Sequence, residues 1–296
     1  MKESEKFINL GYLNFEGMLD KDLCKKLNKN ILKVRKINKN IFVRKKNYLI
    51  KKTKNKNKNN ILDKFDLDFI FKNKHFLSKI KLILGEEFEV YAKRIICGVP
   101  NSIFPKWISS KMDLNSINIG EFIKSRYRDL RYFHGIDYHQ DIIDFSQEEG
   151  NFVTVYIYLD KVTKKMSPLN LLPGTHLGGP SVFPHNLTFK RKKIIYKTQD
   201  GKLIYSNNKN LIGDAGDVWI WHNCLLHGTQ INLANKARYS LRIILRQKKK
   251  DNSSLMTKTN KKIKNIFSFK KMMDFSRYQT LNLNKRNISK LKNLKK

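Results

Sequence analysis

The sequence predicts a mainly β domain, a barrel or sandwich, with flanking helices. Residues 152–159 read FVTVYIYL, which sets Phe152, Thr154, Tyr156 and Tyr158 on one face and Val153, Val155, Ile157 and Leu159 on the other. Strict alternation of β-branched and aromatic residues is a strand signature. From about residue 130 the texture is one of short strands: LNLLPG (169–174), VWIW (218–221), LLHGTQI (225–231) and RYSLRIILR (238–246), separated by Gly, Pro, Asn or Asp. Many short strands punctuated by turn residues argue for a barrel or sandwich.

The flanking elements follow in chain order. Residues 1–50 read as a helical lead-in, with Asp20 or Asp22 capping a helix through Leu23, Leu27 and Ile31. KKTKNKNKNN (51–60) is low-complexity, charged and polar, so it is expected as a loop or disordered insertion. A second helical stretch, near 65–84, ends at Gly85, a C′ glycine. EFEVYAKRIICGV (87–99) alternates enough to be a strand. Beyond Gln247 the chain is lysine-rich, with the pattern of a basic amphipathic helix and a mobile end. The expected organisation is a lead-in over 1–95 packed on the core, a core over 96–246 and a basic C-terminal tail over 247–296. No internal repeat is present.

Composition narrows the function classes. The 296 residues are 40% hydrophobic, enough for a core, and no run of eighteen apolar residues exists, so no membrane span is expected. The first residues mix acids with isolated apolar side chains, unlike a secretory leader. Cys24, Cys97 and Cys224 are scattered and odd in number, which favours a reducing, cytoplasmic setting over a disulfide framework. Cys224 lies near His227 but reads as a buried structural thiol. The net charge of +36 admits attraction to polyanions. The favoured reading is compositional: lysine far outnumbers arginine, asparagine and isoleucine abound, and basic residues are spread over the whole chain. Nucleic acid is therefore not the expected partner.

The chemistry sits in His139-Gln140-Asp141, followed 86 residues beyond Asp141 by His227 and eleven residues later by Arg238. Side chains at i and i+2 of a strand share a face, so His139 and Asp141 point the same way. His227 is expected from a distant strand. Two histidines and a carboxylate are the ligand set of a mononuclear non-haem Fe(II) site with three open positions. If 232–235 form a four-residue loop, a hairpin pairs Ile231 with Lys236 and Thr229 with Arg238. Arg238 and Thr229 then face the metal with His227, a guanidinium and a hydroxyl suited to the far carboxylate of 2-oxoglutarate.

Arg242 shares the strand face with Arg238 and is the reserve candidate, its plain reading being a solvated strand-end charge. Thr154 is a further cosubstrate candidate, and with Tyr156 it either lines the pocket or packs. His134 and His222 lack suitable partners and read as surface or supporting residues. His176 is either a substrate contact or a structural turn residue, and His75 and His185 read as ordinary loop or helix histidines. Arg126, Arg128 and Arg131 read as a solvated basic face, with an anionic substrate as the alternative.

Together these segments resemble the phytanoyl-CoA dioxygenase-like Fe(II)/2-oxoglutarate oxygenases. The resemblance lies in Tyr138-His139-Gln140-Asp141, Val153-Thr154-Val155-Tyr156-Ile157, Pro173-Gly174-Thr175-His176, Gly216-Asp217-Val218-Trp219 and His227-Gly228-Thr229…Asn232…Arg238, in order over roughly 126–246. GYLNFEGMLDKDLCKKL near the N-terminus looks like that family's opening helix. Met166-Ser167 stand where the family usually has Asn-Gly, and Tyr138 where it often has Trp. The resemblance implies a double-stranded β-helix (jelly roll) core, iron held by His139, Asp141 and His227, and 2-oxoglutarate held by Arg238 with Thr229. It also implies O2 and a small-molecule substrate as partners, with succinate and CO2 as coproducts. A carboxylate at Asp141 favours hydroxylation over halogenation. The alternative is a catalytically inactive jelly roll that binds an anionic polymer. A nucleic-acid demethylase is disfavoured, because Arg238 and Arg242 are four apart where those enzymes show arginines six apart.

Overall fold

The structure is a computed structural model that describes residues 1–50, 59–109, 119–143, 150–181, 185–191 and 193–263. The low-complexity run at 51–58 and the tail beyond 263 lie outside the described residues.

The strands are β1 (Tyr12–Phe15), β2 (Phe88–Gly98), β3 (Arg131–Phe133), β4 (Ile136–His139), β5 (Phe152–Tyr158), β6 (Leu169–Leu171), β7 (Leu187–Phe189), β8 (Ile194–Lys197), β9 (Leu203–Ser206), β10 (Lys209–Asn210), β11 (Val218–His222), β12 (His227–Thr229) and β13 (Arg238–Gln247). The helices are α1 (Glu3–Leu10), α2 (Lys21–Val34), α3 (Lys45–Ile50), α4 (Asp68–Phe71), α5 (Lys74–Leu84), α6 (Lys106–Ser109) and α7 (Leu255–Asn260), joined by short 3-10 turns.

Strand β5 is buried along its whole length, and its two faces explain the architecture. Val153, Val155 and Ile157 join a core that also takes Phe7 of α1, Leu27 and Ile31 of α2, and Phe76, Ile80 and Ile83 of α5. Tyr156 and Tyr158 face the other way, into a cluster with Ile96, Leu169, Leu171, Trp219, Trp221 and Leu225. A period-2 sequence with apolar residues in both phases is what a strand between two layers requires. The helices therefore cover one face of a six-stranded sheet, ordered β1-β11-β5-β13-β2-β3. Its other face looks onto a four-stranded sheet ordered β10-β6-β12-β4. The two sheets form the jelly roll, and the site lies between them. A third sheet, β7-β8-β9, flanks this core.

Several expectations need correction. The lead-in is not helical throughout: β1 pairs antiparallel with β11, Leu13 opposite Ile220, and so supplies the outermost strand of the large sheet. Asp20 is the cap of α2, accepting from the amides of Asp22 and Leu23. The buried stripe of that helix is Cys24, Leu27, Asn28 and Ile31, while Leu23 is exposed. The stretch 65–84 is two helices, because Asn73 breaks it and accepts from the Phe76 amide to start α5. The expected boundary at 95/96 falls inside β2.

The hairpin between β12 and β13 does not form. β12 pairs with β4 and β6, whereas β13 pairs with β2 and β5, so the chain crosses from one sheet to the other between them. Asn232 holds that crossing, donating to the carbonyls of Gly98 and Lys236. A jelly roll alternates its strands between sheets, and this defeats a local register argument.

Candidate metal centre

His139 ends β4 and His227 begins β12, and the two are direct cross-strand partners. The second histidine thus comes from the neighbouring strand of the same sheet, though 88 residues on in sequence. Their rings lie 4.2 Å apart between centroids. His139 Nδ1 is 3.0 Å from the Asp137 carbonyl, and His227 Nδ1 is 2.9 Å from the Leu225 carbonyl. A carbonyl can only accept, so each Nδ1 carries the proton and each Nε2 presents a lone pair. Asp141 follows β4 in a 3-10 turn, with its Oδ1 at 3.6 Å from His227 Nε2. One ligand atom from each of His139, Asp141 and His227 lies within 4.8 Å of the others, with Asp141 and His227 buried and His139 half-buried.

Asp141 is held by residues that the sequence did not single out for this work. Its Oδ2 accepts from Thr154 Oγ1 at 2.5 Å and from Trp221 Nε1 at 2.9 Å. Arg242 Nη2 ion-pairs with Oδ1. Burial alone would raise this carboxyl, but the Arg242 guanidinium and the two histidines outweigh it and hold the group well below the usual carboxylate range. His139 goes the other way: burial, then His227, push it down to about 3. A neutral imidazole and an ionised carboxylate are the protonation states that metal ligation needs.

Gln140 points away from the triad. Fully buried, it donates to the carbonyls of Gly179 and Cys224 and accepts from the Ser181 amide, tying the turn after β6 to the β11–β12 connection. Ser181 continues a buried network: Tyr196 donates to Ser181 Oγ, which is 2.7 Å from His185 Nδ1. His185 is therefore no ordinary loop residue. Burial first, then His139 and His227, lower it to about 3.

Arg238 is 2% exposed, on the face of β13 that looks between the sheets. Its Nη1 donates to the Tyr156 hydroxyl at 2.9 Å, while its Nε is buried without a partner. Thr229 Oγ1, two residues along β12 from His227, is likewise buried and unpartnered. An unmet guanidinium N–H and an unmet hydroxyl fit a carboxylate, the group by which a 2-oxo acid would be anchored.

The remaining candidates sort by contact. Thr154 spends its hydroxyl on Asp141, which corrects its expected role toward the cosubstrate. Arg242 is not a solvated strand-end charge: it ion-pairs with Asp141, and it lies directly across the ladder from Tyr156, the residue to which Arg238 donates. His134 and His222 are buried, not superficial, bonded to Asn101 and Asn260 respectively. His176 is buried in the Pro-Gly turn, 3.2 Å from the Ile8 carbonyl, which is the structural alternative. His75 is exposed on α5. The basic cluster disperses: Arg126 lies over the Tyr127 ring, Arg128 donates to the carbonyls of Ile123 and Glu121, and Arg131 is on β3. Cys24, Cys97 and Cys224 are buried free thiols. Among the described residues no helix is long and apolar enough to cross a membrane.

Two histidines and a carboxylate on one face, set between the sheets of a jelly roll, define the class of mononuclear non-haem iron, 2-oxoglutarate-dependent enzymes. The chain belongs to the phytanoyl-CoA dioxygenase (PhyH) family, whose profile matches residues 8–240. No curated protein matches the sequence. Among solved structures it is similar to EctD from S. alaskensis with bound Fe, at 13% identity and a TM-score of 0.50 over 83% of this chain and 75% of that one. It is also similar to the epimerase SnoN in complex with Fe3+, alpha ketoglutarate and nogalamycin RO, at 12% identity and a TM-score of 0.49 over 82% of each chain. The carbocyclase SnoK from nogalamycin biosynthesis gives 12% identity and 0.46 over 83% and 84%. What the chain shares with EctD at this identity is the fold.

Proposed function

We propose that this dioxygenase hydroxylates a small organic substrate, with His139, Asp141 and His227 holding Fe(II) and with Arg238 and Thr229 holding the far carboxylate of 2-oxoglutarate. The observation that carries the reading is the convergence of two imidazole Nε2 atoms and Asp141 Oδ1, with every opposite atom of those groups already tied down. Iron bound there with 2-oxoglutarate and O2 supplies the oxidising chemistry, releasing succinate and CO2.

The chain's own part is orientation and exclusion of water. Thr154 and Trp221 occupy Asp141 Oδ2, which leaves Oδ1 as the ligand atom. The carbonyls of Asp137 and Leu225 fix the tautomer and ring plane of the histidines. Tyr156, accepting from Arg238, holds the guanidinium with its Nε available to a carboxylate. Trp219, Trp221 and Tyr158 wall the interior with apolar surface. Retention of Asp141 supports hydroxylation, since halide chemistry needs that coordination position vacated.

The test is anaerobic titration of Fe(II)-loaded protein with 2-oxoglutarate, read by its visible charge-transfer band. A saturable band, abolished in His139→Ala and weakened in Arg238→Ala, is expected. No band in folded, iron-loaded wild-type protein would sink the reading and bring forward the inactive, polyanion-binding alternative.

A further inference from the structure

The family profile ends at residue 240, and the last described helix, α7, lies beyond it. Although only six residues long, α7 buries Leu255, Met256, Thr257, Thr259 and Asn260. Leu255 and Met256 join the core between the helices and the large sheet. Asn260 and the nearby Ile263 do something else: they reach the connections that present the metal ligands.

The contact runs through His222, the last residue of β11. The Cys224 amide donates to His222 Nδ1 at 3.1 Å, so the proton sits on Nε2, which donates to Asn260 Oδ1 at 2.9 Å. Asn260 Nδ2 in turn donates to the Gly150 carbonyl at 2.9 Å, at the entry to β5. Both ends of one amide are thus committed to the two strands that supply Asp141's partners, Trp221 beside His222 and Thr154 on β5. The turn that follows His222 holds the ligand-bearing turn directly. The Asn223 carbonyl accepts from the Ile142 amide at 3.2 Å, and the Cys224 carbonyl accepts from Gln140 Nε2 at 2.8 Å. The residues on either side of Asp141 therefore both hang from 222–224. Ile142 is fully buried, in a small cluster with Phe152, Cys224, Ile244 and Ile263. Buried polar groups of this kind lose more by going unpaired than they gain by moving, so the network keeps one arrangement.

We propose that Asn260, acting through His222, is a positioning residue for Asp141, so that a helix outside the family profile is a working part of the metal centre. This rests on the iron-centre reading above. Asn260 sets the 222–224 turn, and that turn sets Gln140 and Ile142. Asp141, between them, is thereby presented with Oδ1 toward the two histidines.

The experiment measures Mn(II) affinity, and the visible charge-transfer band of the Fe(II)–2-oxoglutarate complex, in full-length protein below the melting temperature of each variant. Asn260→Leu keeps the size of the side chain and removes both hydrogen bonds; His222→Phe keeps a ring and removes both nitrogens. Each should weaken Mn(II) binding about tenfold and shift the band. In a His222→Phe background, Asn260→Leu should add no further loss, because the two residues act in series. Leu255→Ala is the control: it opens a cavity under the first turn of the same helix and should lower the melting temperature with Mn(II) affinity and band unchanged. If one of the two test variants does not fold, the other carries the measurement. Wild-type affinity and band in folded Asn260→Leu or His222→Phe overturn the proposal and leave the metal centre standing. So do additive losses in the double variant, or a loss in Leu255→Ala that matches theirs, which would trace the effect to general destabilisation. Wild-type protein that binds no Mn(II) overturns the metal centre and this proposal with it.

Discussion

Asp141 shows how much one carboxylate depends on its surroundings. Its two oxygens have different tasks: Oδ2 is saturated by Thr154 and Trp221, and Oδ1 faces His227 and Arg242. Trp221→Phe removes the indole donor and leaves part of a fully buried ring's space empty, so metal affinity should fall by about 10- to 100-fold and the melting temperature should drop as well. Mn(II) titration by calorimetry decides this, and unchanged affinity would mean that Thr154 suffices. Arg242→Met should act in the opposite direction on the same measurement, since it removes a cation that competes for Oδ1. At this scale the sequence singled out the three side chains that converge, His139, Asp141 and His227, because His-x-Asp on a strand followed by a distant histidine is a chemical pattern. Trp221 could have been found from parity, as VWIW places Trp219 and Trp221 together on one face. Thr154 was read as a cosubstrate residue because parity tells which way a side chain points and not what meets it.

Among the elements, β12 controls the distance between the histidines. A Cβ on Gly228 would stand 2.7 Å from the Ile136 carbonyl oxygen on β4, a backbone atom that moves only with its strand. Gly228→Ala should therefore spread β12 from β4, separate His227 from His139, and lower both metal affinity and melting temperature. Metal binding at wild-type strength in that variant would show that the ladder yields elsewhere. In β5, Ile157 is fully buried against the helical layer, and Ile157→Ala should cost about 2–5 kcal/mol in urea unfolding while leaving the inward face intact. β5, β11 and β13 were legible because their alternation is strong and uninterrupted. β1 was not: four residues, YLNF, carry no period of their own and become a strand by adding to β11. The β12–β13 hairpin failed because pairing between sheets is a property of the topology, which neighbouring residues do not encode. Arg238 nevertheless faces inward, through its own parity with Arg242 on β13 and not through Thr229.

For the molecule as a whole, buried histidines set the acid limit of stability. Burial is the first cause in each case: His139 and His185 are held at about 3, His222 at about 4, and His176 well below its usual value. In the unfolded chain each titrates near about 6.5. As pH falls below that, the unfolded state takes up protons that the native state refuses, so stability is lost with acid. Asp137, raised to about 6 by burial, works against this by binding a proton in the native state. Four histidines against one aspartate leave a net difference of roughly three protons, about 4 kcal/mol per pH unit where all are engaged. The urea midpoint of metal-free protein should drop between pH 7 and pH 5, and a flat profile would mean that these imidazoles protonate in the folded state. The sequence could mark His139 as a ligand and leave His176, His185 and His222 in supporting or ordinary roles, but it could not show their burial, which depends on how α1, α7 and the turn after β6 close around them.

The position of β13 in the large sheet has a consequence for synthesis. It lies between β5 and β2, pairing with both, yet residue 238 leaves the ribosome long after either neighbour. Until then, β2 and β5 each present an open edge, with hydrophobic residues on view. At about 5–20 residues per second, the nascent chain waits several seconds for this strand. When it inserts, it closes the sheet and delivers Arg238 and Arg242 to the interior together. Sheet completion and active-site assembly are thus one late event, and a chain halted before it would be both inert and prone to aggregate.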